Sequence, residues 1–463
     1  MRNVSSTQLR ARFAAALSAL YATEVPASGT LVEVAQEVNE RFLAKHGAEA
    51  ERLGSIERVT AERHGAIRVG NAREMAQVAR VFGALGMAPV GFYDLRDAAP
   101  RPIPVVSTAF RPLRRDELAA NPFRVFTSML VPEDRRFFDA DLTQRLRAFL
   151  DTRRLFPDEL LDLAATAERH GELPPPDAAR FLELATAAFA LSAEPVDRGW
   201  YTELERISGV AADIGGVTTT HINHLTPRVL DIDDLYRSMQ ERGIEMIDLV
   251  QGPPRWDGPD VLLRQTSFRA LAEPRRFRDA DGALSDGDLR VRFGEVEARG
   301  IALTPAGRDL YDSLTRAVDE ELTARPDLTR QAVAERRWQE RMPRTERELH
   351  AAGLGHFTYH LAAERPPGAP PRTMSALVDA GWVEPRPIVY EDFLPRSAAG
   401  IFASNLTADG SVDAGRGGAE RNAAWLSDAI GRPVHSPEEL YAAESAASAA
   451  EVMRALGVPL TPR

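Results

Sequence analysis

The sequence predicts an α+β chain built on two repeated βαβββ modules that form a central curved sheet or barrel, with helical insertions and flanking helices. Three observations lead to this class. The segment HGAIRVGNAREMAQVARVFGALGM starts at His64 and the segment HLTPRVLDIDDLYRSMQERGI starts at His224. Both read His-x-x-x-Arg-Val, a short polar break, then an amphipathic helix closing at Gly plus a large apolar residue. Downstream, VVSTAFRPL (105–113) lies over LRQTSFRAL (263–271), pairing Thr108 with Thr266, Phe110 with Phe268 and Arg111 with Arg269. A further strand follows in each copy, FRVFTSML around Phe126 and LRVRFGEVE around Phe293, in a register that sets Ser128 opposite Glu295. β-Branched and aromatic residues fill these runs, so each copy reads strand, helix, strand, strand, strand.

The remaining elements follow in chain order. MRNVSSTQLRARFAAALSAL carries polar and charged residues throughout and reads as an amphipathic helix, not a signal peptide. LVEVAQEVNERFLAKHG has helical apolar spacing and holds Lys45, the single lysine of the chain, on a solvated face. These helices and the first module occupy 1–131, and a helical insertion punctuated by Pro174 to Pro176 occupies 132–215. The second module spans 216–304. The last segment, 305–463, opens on the capped helix start TPAGRDLYDSLTRAVDEEL and stays helical to about Ala363. The linker ERPPGAPPRT, a β-rich stretch WVEPRPIVYEDFLPRSAAGIFASNL and a helix from Ser436 to Leu456 complete it.

Composition narrows the chemistry. With 463 residues, 44% apolar and 27% charged, the chain is long enough for two or three ordinary globular domains. A net charge of -11 without a basic block argues against nucleic acid or anionic membrane as a partner. No apolar run reaches the length of about eighteen residues that spanning a bilayer requires, and a cytoplasmic location is expected. The absence of cysteine excludes thiol nucleophiles, disulfides, zinc-thiolate sites and protein-ligated iron–sulfur clusters. One lysine and no GxxxxGK[ST] loop leave histidine, carboxylate, hydroxyl and arginine to do chemistry.

The repeat brings those groups together. If two such modules pack about a pseudo-two-fold axis, His64 and His224 become symmetry mates in one cleft, with Ser128 and Glu295 as a second pair of positions. Two imidazoles and a carboxylate on a shared sheet make the facial triad that suits non-haem Fe(II) and leaves three positions open. His221 competes with His224 but would face the other side of a strand, and the repeat register selects His224. Glu297 shares the face of Glu295 and is expected beside the ligand set, and His356 and His360 are read as packing residues of a helix. Arg68 and Arg228 stand four residues past the two histidines on the same strand face. Each is either a bidentate clamp for a carboxylate or a strand-end salt bridge. Gln265 is either a polar contact in the cleft or a strand hydrogen bond.

The stretches HINHLTPR, LLRQTSFRAL, FGEVEARGIALTPAGRDLYD and YEDFLPRSAAGIF resemble the 2-oxoadipate dioxygenase/decarboxylase family, and the resemblance runs from about Val32 to Leu456. That family belongs to the vicinal-oxygen-chelate superfamily, whose repeated βαβββ modules agree with the repeat above. The resemblance implies an Fe(II) enzyme of lysine breakdown that converts 2-oxoadipate and O2 to D-2-hydroxyglutarate and CO2. No separate co-substrate is needed. It implies His64, His224 and Glu295 as metal ligands, Arg68 as the substrate-binding arginine, and Ser397 and its neighbour as a hydroxyl and backbone contact to substrate. Where the family carries a small apolar residue this chain has Arg396, a cation expected to touch substrate and favour a different or more anionic acid. The competing expectation is another metal-dependent dioxygenase, lyase or isomerase on the same scaffold.

Overall fold

The computed structural model describes residues 2–98, 101–405 and 418–459, without the side chains of 402 and 403. Its first half is built as the alternating patterns predict. Strand β1 (Arg63–Val69) leads into a helix, Ala72–Ala84, whose Asn71 cap accepts a hydrogen bond from the Glu74 amide. Strands β2 (Ala88–Asp94), β3 (Val105–Arg111) and β4 (Arg124–Leu130) follow. They pair antiparallel in the order β2-β3-β4, and β4 then runs parallel to β1.

The second half repeats this pairing with shorter strands. Strand β5 (His224–Pro227) precedes the helix Ile232–Glu241, and β6 (Leu263–Ser267) precedes an antiparallel hairpin of β7 (Glu273–Arg278) and β8 (Leu284–Leu289). Strand β9 (Glu295–Arg299) then pairs antiparallel with β6. Isolated bridges complete the pattern: Arg228 to Glu297 in parallel, and Met246 to Phe268 and Gln251 to Gln265 in antiparallel sense. Both halves thus place strand one beside strand four, four beside three and three beside two.

The pairings correct one alignment made from sequence. Arg68 pairs with Ser128, as Arg228 pairs with Glu297, and Thr108 pairs with Thr127, as Thr266 pairs with Val296. Ser128 therefore corresponds to Glu297, and Phe126 to Glu295, two residues from the expected register. The strand expected around Phe293 also begins later, at Glu295, because the preceding residues have turned out into the hairpin.

The two halves join through β1 and β5, which pair antiparallel with Gly65 opposite Leu225 at the centre. His64 lies opposite Thr226 and Ala66 opposite His224. This is the pairing a local two-fold axis through Gly65 and Leu225 produces. Gly65 serves the junction: a Cβ there would lie 2.8 Å from Ile222 Cδ1, on the face away from the histidines.

Helices cover the sheet and tie the halves together. Ser5 and Gln8 form a capping box at the start of the helix Ser6–Glu24, whose Tyr21 hydroxyl donates to the carbonyls of Asn223 and Phe293. Asn39, on the helix Ala27–His46, donates to the Arg228 carbonyl and accepts from the Leu230 amide. The expected helical insertion supplies Ala140–Thr152, Asp158–His170 and Pro175–Ala187. Thr304 caps the helix Pro305–Ala324, and Ser436 caps Pro437–Ala455.

Two readings of the C-terminal segment are corrected. His360 lies on strand β10 (Phe357–Leu361), with His356 just before it, and β10 pairs with β11 (Val383–Pro387), so no helix runs through to Ala363. Only β11 of the expected β-rich stretch is strand. Pro395–Asn405 is a helix, which a proline can open because its first turn needs no amide donor. Among the described residues no helix is long and apolar enough to cross a membrane.

Candidate metal centre

Side chains alternate across a strand, so His64, Ala66 and Arg68 share one face of β1. The neighbouring strands add Arg124, Phe126 and Ser128, then His224 and Thr226, then Glu295, Glu297 and Arg299 to that face. His64 and His224 meet diagonally across the β1–β5 junction, their rings 5.1 Å apart and nearly perpendicular. The Nε2 of each stands 3.4 Å from a different oxygen of Glu295. The three ligand atoms lie within 4.8 Å of one another, and all three residues are buried.

These residues fit a divalent ion. Two donor atoms about 2.1 Å from one ion and at right angles to each other lie about 3.0 Å apart, close to the 3.4 Å between each Nε2 and its Glu295 oxygen. The far side of each ring is occupied as well. His224 Nδ1 contacts the Thr226 hydroxyl at 2.9 Å, and His64 Nδ1 lies 2.7 Å from Glu297 Oε2, a charge contact off the line of the ring N–H bond. Both rings thereby turn Nε2 toward Glu295, the arrangement that orients imidazoles for a metal.

Electrostatics point the same way. Burial pushes the Glu295 carboxyl up, and burial pushes His224 well down, with the charges of His64 and Arg68 adding to it. Burial also works against an imidazolium at His64, but Glu297 and Glu295 outweigh it and raise its pKa. Burial alone would raise Glu297 too. Arg299, with His64 and Arg124, instead holds it down at about 2. Glu297 therefore already has its cations, whereas a cation between His64, His224 and Glu295 would relieve the desolvated carboxylate.

Arg299 binds Glu297 through Nε at 2.7 Å and Nη2 at 2.9 Å. Arg124 spans Glu62 at 2.6 Å and Glu391, and approaches Glu297 at 3.4 Å. Phe393 lies 5.0 Å from the His64 ring, edge to face, and 5.0 Å from Phe126. The position corresponding to Glu295 in the first half is thus an apolar wall.

The other expected site residues divide into those brought to this face and those turned away. Arg68 is buried and hydrogen-bonds Asp213, which also accepts from Asn223 at 3.1 Å and lies 3.4 Å from His221 Nε2. Gln265 donates to Glu295. Ser397 is buried in the first turn of the helix Pro395–Asn405, whose far end donates from Asn405 to the Ser267 hydroxyl at 2.9 Å.

Arg396 is turned away from this face. Its side chain is 51% exposed and pairs with Asp319 at 2.6 Å, because a helix carries adjacent residues to different sides. Arg228 is likewise spent, on Glu62 at 2.9 Å and the Leu53 carbonyl at 2.9 Å, and braces the second half. His221 belongs to the Asp213 cluster, where burial lowers its pKa to about 4. His356 pairs with Glu438 at 3.0 Å and His360 with the Thr358 hydroxyl at 3.0 Å. Thr226 and Arg299, two residues from His224 and Glu297, were visible in the strand period. Asp213, Glu62 and Phe393 come from other elements and carried no local signal.

A buried two-histidine, one-carboxylate cluster on a mixed α+β scaffold defines the class: a protein with three side chains placed so that they could hold one metal ion. A sequence model of the 2-oxoadipate dioxygenase/decarboxylase family matches residues 13–405, and the chain belongs to that family. The 2-oxoadipate dioxygenase/decarboxylase of Mycobacterium tuberculosis is 57% identical over 440 residues, 95% of this chain and 97% of that protein. The protein of the same name from Pseudomonas putida is 41% identical over 452 residues, 95% of each chain. The crystal structure of the hydroxyglutarate synthase from Pseudomonas putida in complex with 2-oxoadipate superposes with a TM-score of 0.83. It is 38% identical and covers 99% of this chain and 100% of its own.

Proposed function

We propose that this chain converts 2-oxoadipate and O2 to 2-hydroxyglutarate and CO2, using Fe(II) held by His64 Nε2, His224 Nε2 and Glu295. The observation that carries the reading is the convergence of those three ligand atoms from both halves of the sheet, in a chain whose relatives are named for this reaction. The atoms balance. The C1 carboxylate of the oxo acid leaves as CO2, one oxygen atom of O2 completes a carboxyl at the former C2, and the other becomes the hydroxyl at the former C3. Bound Fe(II) would supply the one-electron chemistry that dioxygen needs to react with a closed-shell acid.

The side chains supply position and charge. Arg68 would bind a substrate carboxylate, in a fork geometry that fixes which carbon faces the ligand cluster. Asp213 accepts a hydrogen bond from that guanidinium, so it is set in place before substrate arrives. Gln265 steadies Glu295. Ser397 would offer a hydroxyl to the acid chain. Phe393 and Phe126 keep water from the His64 side of the cluster. With Arg396 turned to Asp319, nothing at that position calls for a more anionic substrate.

The test is anaerobic reconstitution with Fe(II), followed by oxygen uptake with 2-oxoadipate and measurement of CO2 and 2-hydroxyglutarate. Coupled, equimolar uptake and product formation are expected. No uptake with any 2-oxo acid, in protein shown to hold iron, would replace this reading with a metal-dependent lyase or isomerase.

A further inference from the structure

A cavity of about 810 Å³ lies apart from the ligand cluster, between the segment 48–58, the 111–119 region, the β10–β11 hairpin and the C-terminal helix. None of His64, His224, Glu295 or Arg68 lines it. Six arginines and three glutamates do, in a chain whose net charge is -11. The pocket thus runs against the sign of the whole molecule.

Its floor is rigid. Arg111 is clamped by Asp392 at 2.8 and 3.0 Å, and the Tyr441 hydroxyl accepts from the Glu391 amide at 2.8 Å. Arg58 bonds Glu391 through Nη2, and its buried Nε has no acceptor. Its mouth is loose. Arg115 reaches Glu444 only at 3.6 Å and Arg386 reaches Glu384 only at 3.7 Å, and both guanidiniums stay more than half exposed. One donor without an acceptor below, Arg58 Nε, and two cations above that are paired only at long range are the elements of an oxyanion receptor. Glu444 is half-buried beside this mouth, and burial pushes its carboxyl up. It stands where a ligand's carboxylate would go, in contact too long for a hydrogen bond.

We propose that this cavity is a binding site for a small polyanion carrying carboxylate or phosphate oxygens, received by Arg115, Arg386 and Arg58, with Glu444 as the group it displaces. The wall it shares with the sheet is Glu391, whose other oxygen bonds Arg124 and so leads to Glu297 beside His64.

The proposal is tested by calorimetric titration of the iron-loaded enzyme with tricarballylate and, separately, with inorganic phosphate. Saturable one-to-one binding of at least one anion is expected, and which anion binds identifies the carboxylate or the phosphate source. The Arg115→Ser/Arg386→Ser variant should bind at least tenfold more weakly while turning over 2-oxoadipate at the unmodified rate without added anion. Glu444→Gln should bind several-fold more tightly, a gain that a misfolded variant cannot produce. Absence of saturable heat with both anions, or equal affinity in all three proteins, would overturn the assignment. So would binding that a saturating substrate analogue abolishes while the arginine variant leaves it intact, since the anion would then occupy the catalytic cleft. Neither result depends on the reaction catalysed at the ligand cluster.

Discussion

His221 and His224 bound a four-residue stretch and are both buried, yet they have opposite fates. One faces Asp213 and the other faces Glu295. His224→Ala should therefore abolish tight metal binding, while His221→Ala should retain it, as metal analysis after dialysis would read out. Metal retained by the first and lost by the second would reverse the assignment. Arg68→Ala should keep the metal and raise KM for 2-oxoadipate by tenfold or more, the loss expected when a charge-assisted fork is removed. Glu297→Gln keeps the shape but not the charge beside His64 Nδ1, and metal affinity should fall about 10- to 100-fold. Equilibrium competition with a chelator measures this without relying on turnover.

At the scale of elements, the β1–β5 junction is the critical contact. Gly65→Ala puts a methyl 2.8 Å from Ile222 Cδ1, and an overpacked core site of this kind costs about 1–3 kcal/mol. Chemical denaturation should show that loss, and Ile222→Val should restore part of it. Additive effects of the two substitutions would mean that the side chains do not meet. The same strands show how much could be read in advance. The two histidines and their arginines were legible because His-x-x-x-Arg-Val recurs where strand one recurs. The fourth strand was aligned two residues out, yet Glu295 kept its face because an even slip preserves the alternation of a strand. Arg396 and Ser397 were harder: PRSAAGIFASN has no decisive period, and only its helical outcome separates an outward Arg396 from a buried Ser397. The partners of Arg124 and Arg111, Glu391 and Asp392, lie some 270 residues downstream, beyond any local pattern.

Across the whole molecule, buried ion pairs bind the C-terminal segment to the sheet. Asp392 is held well buried by Arg111 and Tyr441. Burial alone would raise its pKa, and Arg111 instead brings it below the ordinary aspartate range. A carboxyl depressed on folding contributes stability that is fully present above its unfolded pKa and is lost as pH falls through the folded one. Asp392→Asn should cost about 3–5 kcal/mol near neutrality, as breaking a buried pair does. The gap in Tm between variant and parent should narrow as pH is lowered from 6 toward 3. A gap independent of pH would show that the loss comes from packing.

The proposed ligands come one from the first module and two from the second, and they meet only across β1 and β5. Such an ion grades the fold it enters. A chain whose halves have paired out of register, or not at all, can offer it one or two donors and holds it weakly, whereas a correctly docked chain offers three. Binding to the native state alone stabilises by mass action, about 2.7 kcal/mol at a hundredfold excess over Kd. Iron supply would then set how much of the newly made protein persists as well as how fast it turns over, and starved cells would lose the enzyme itself along with its activity.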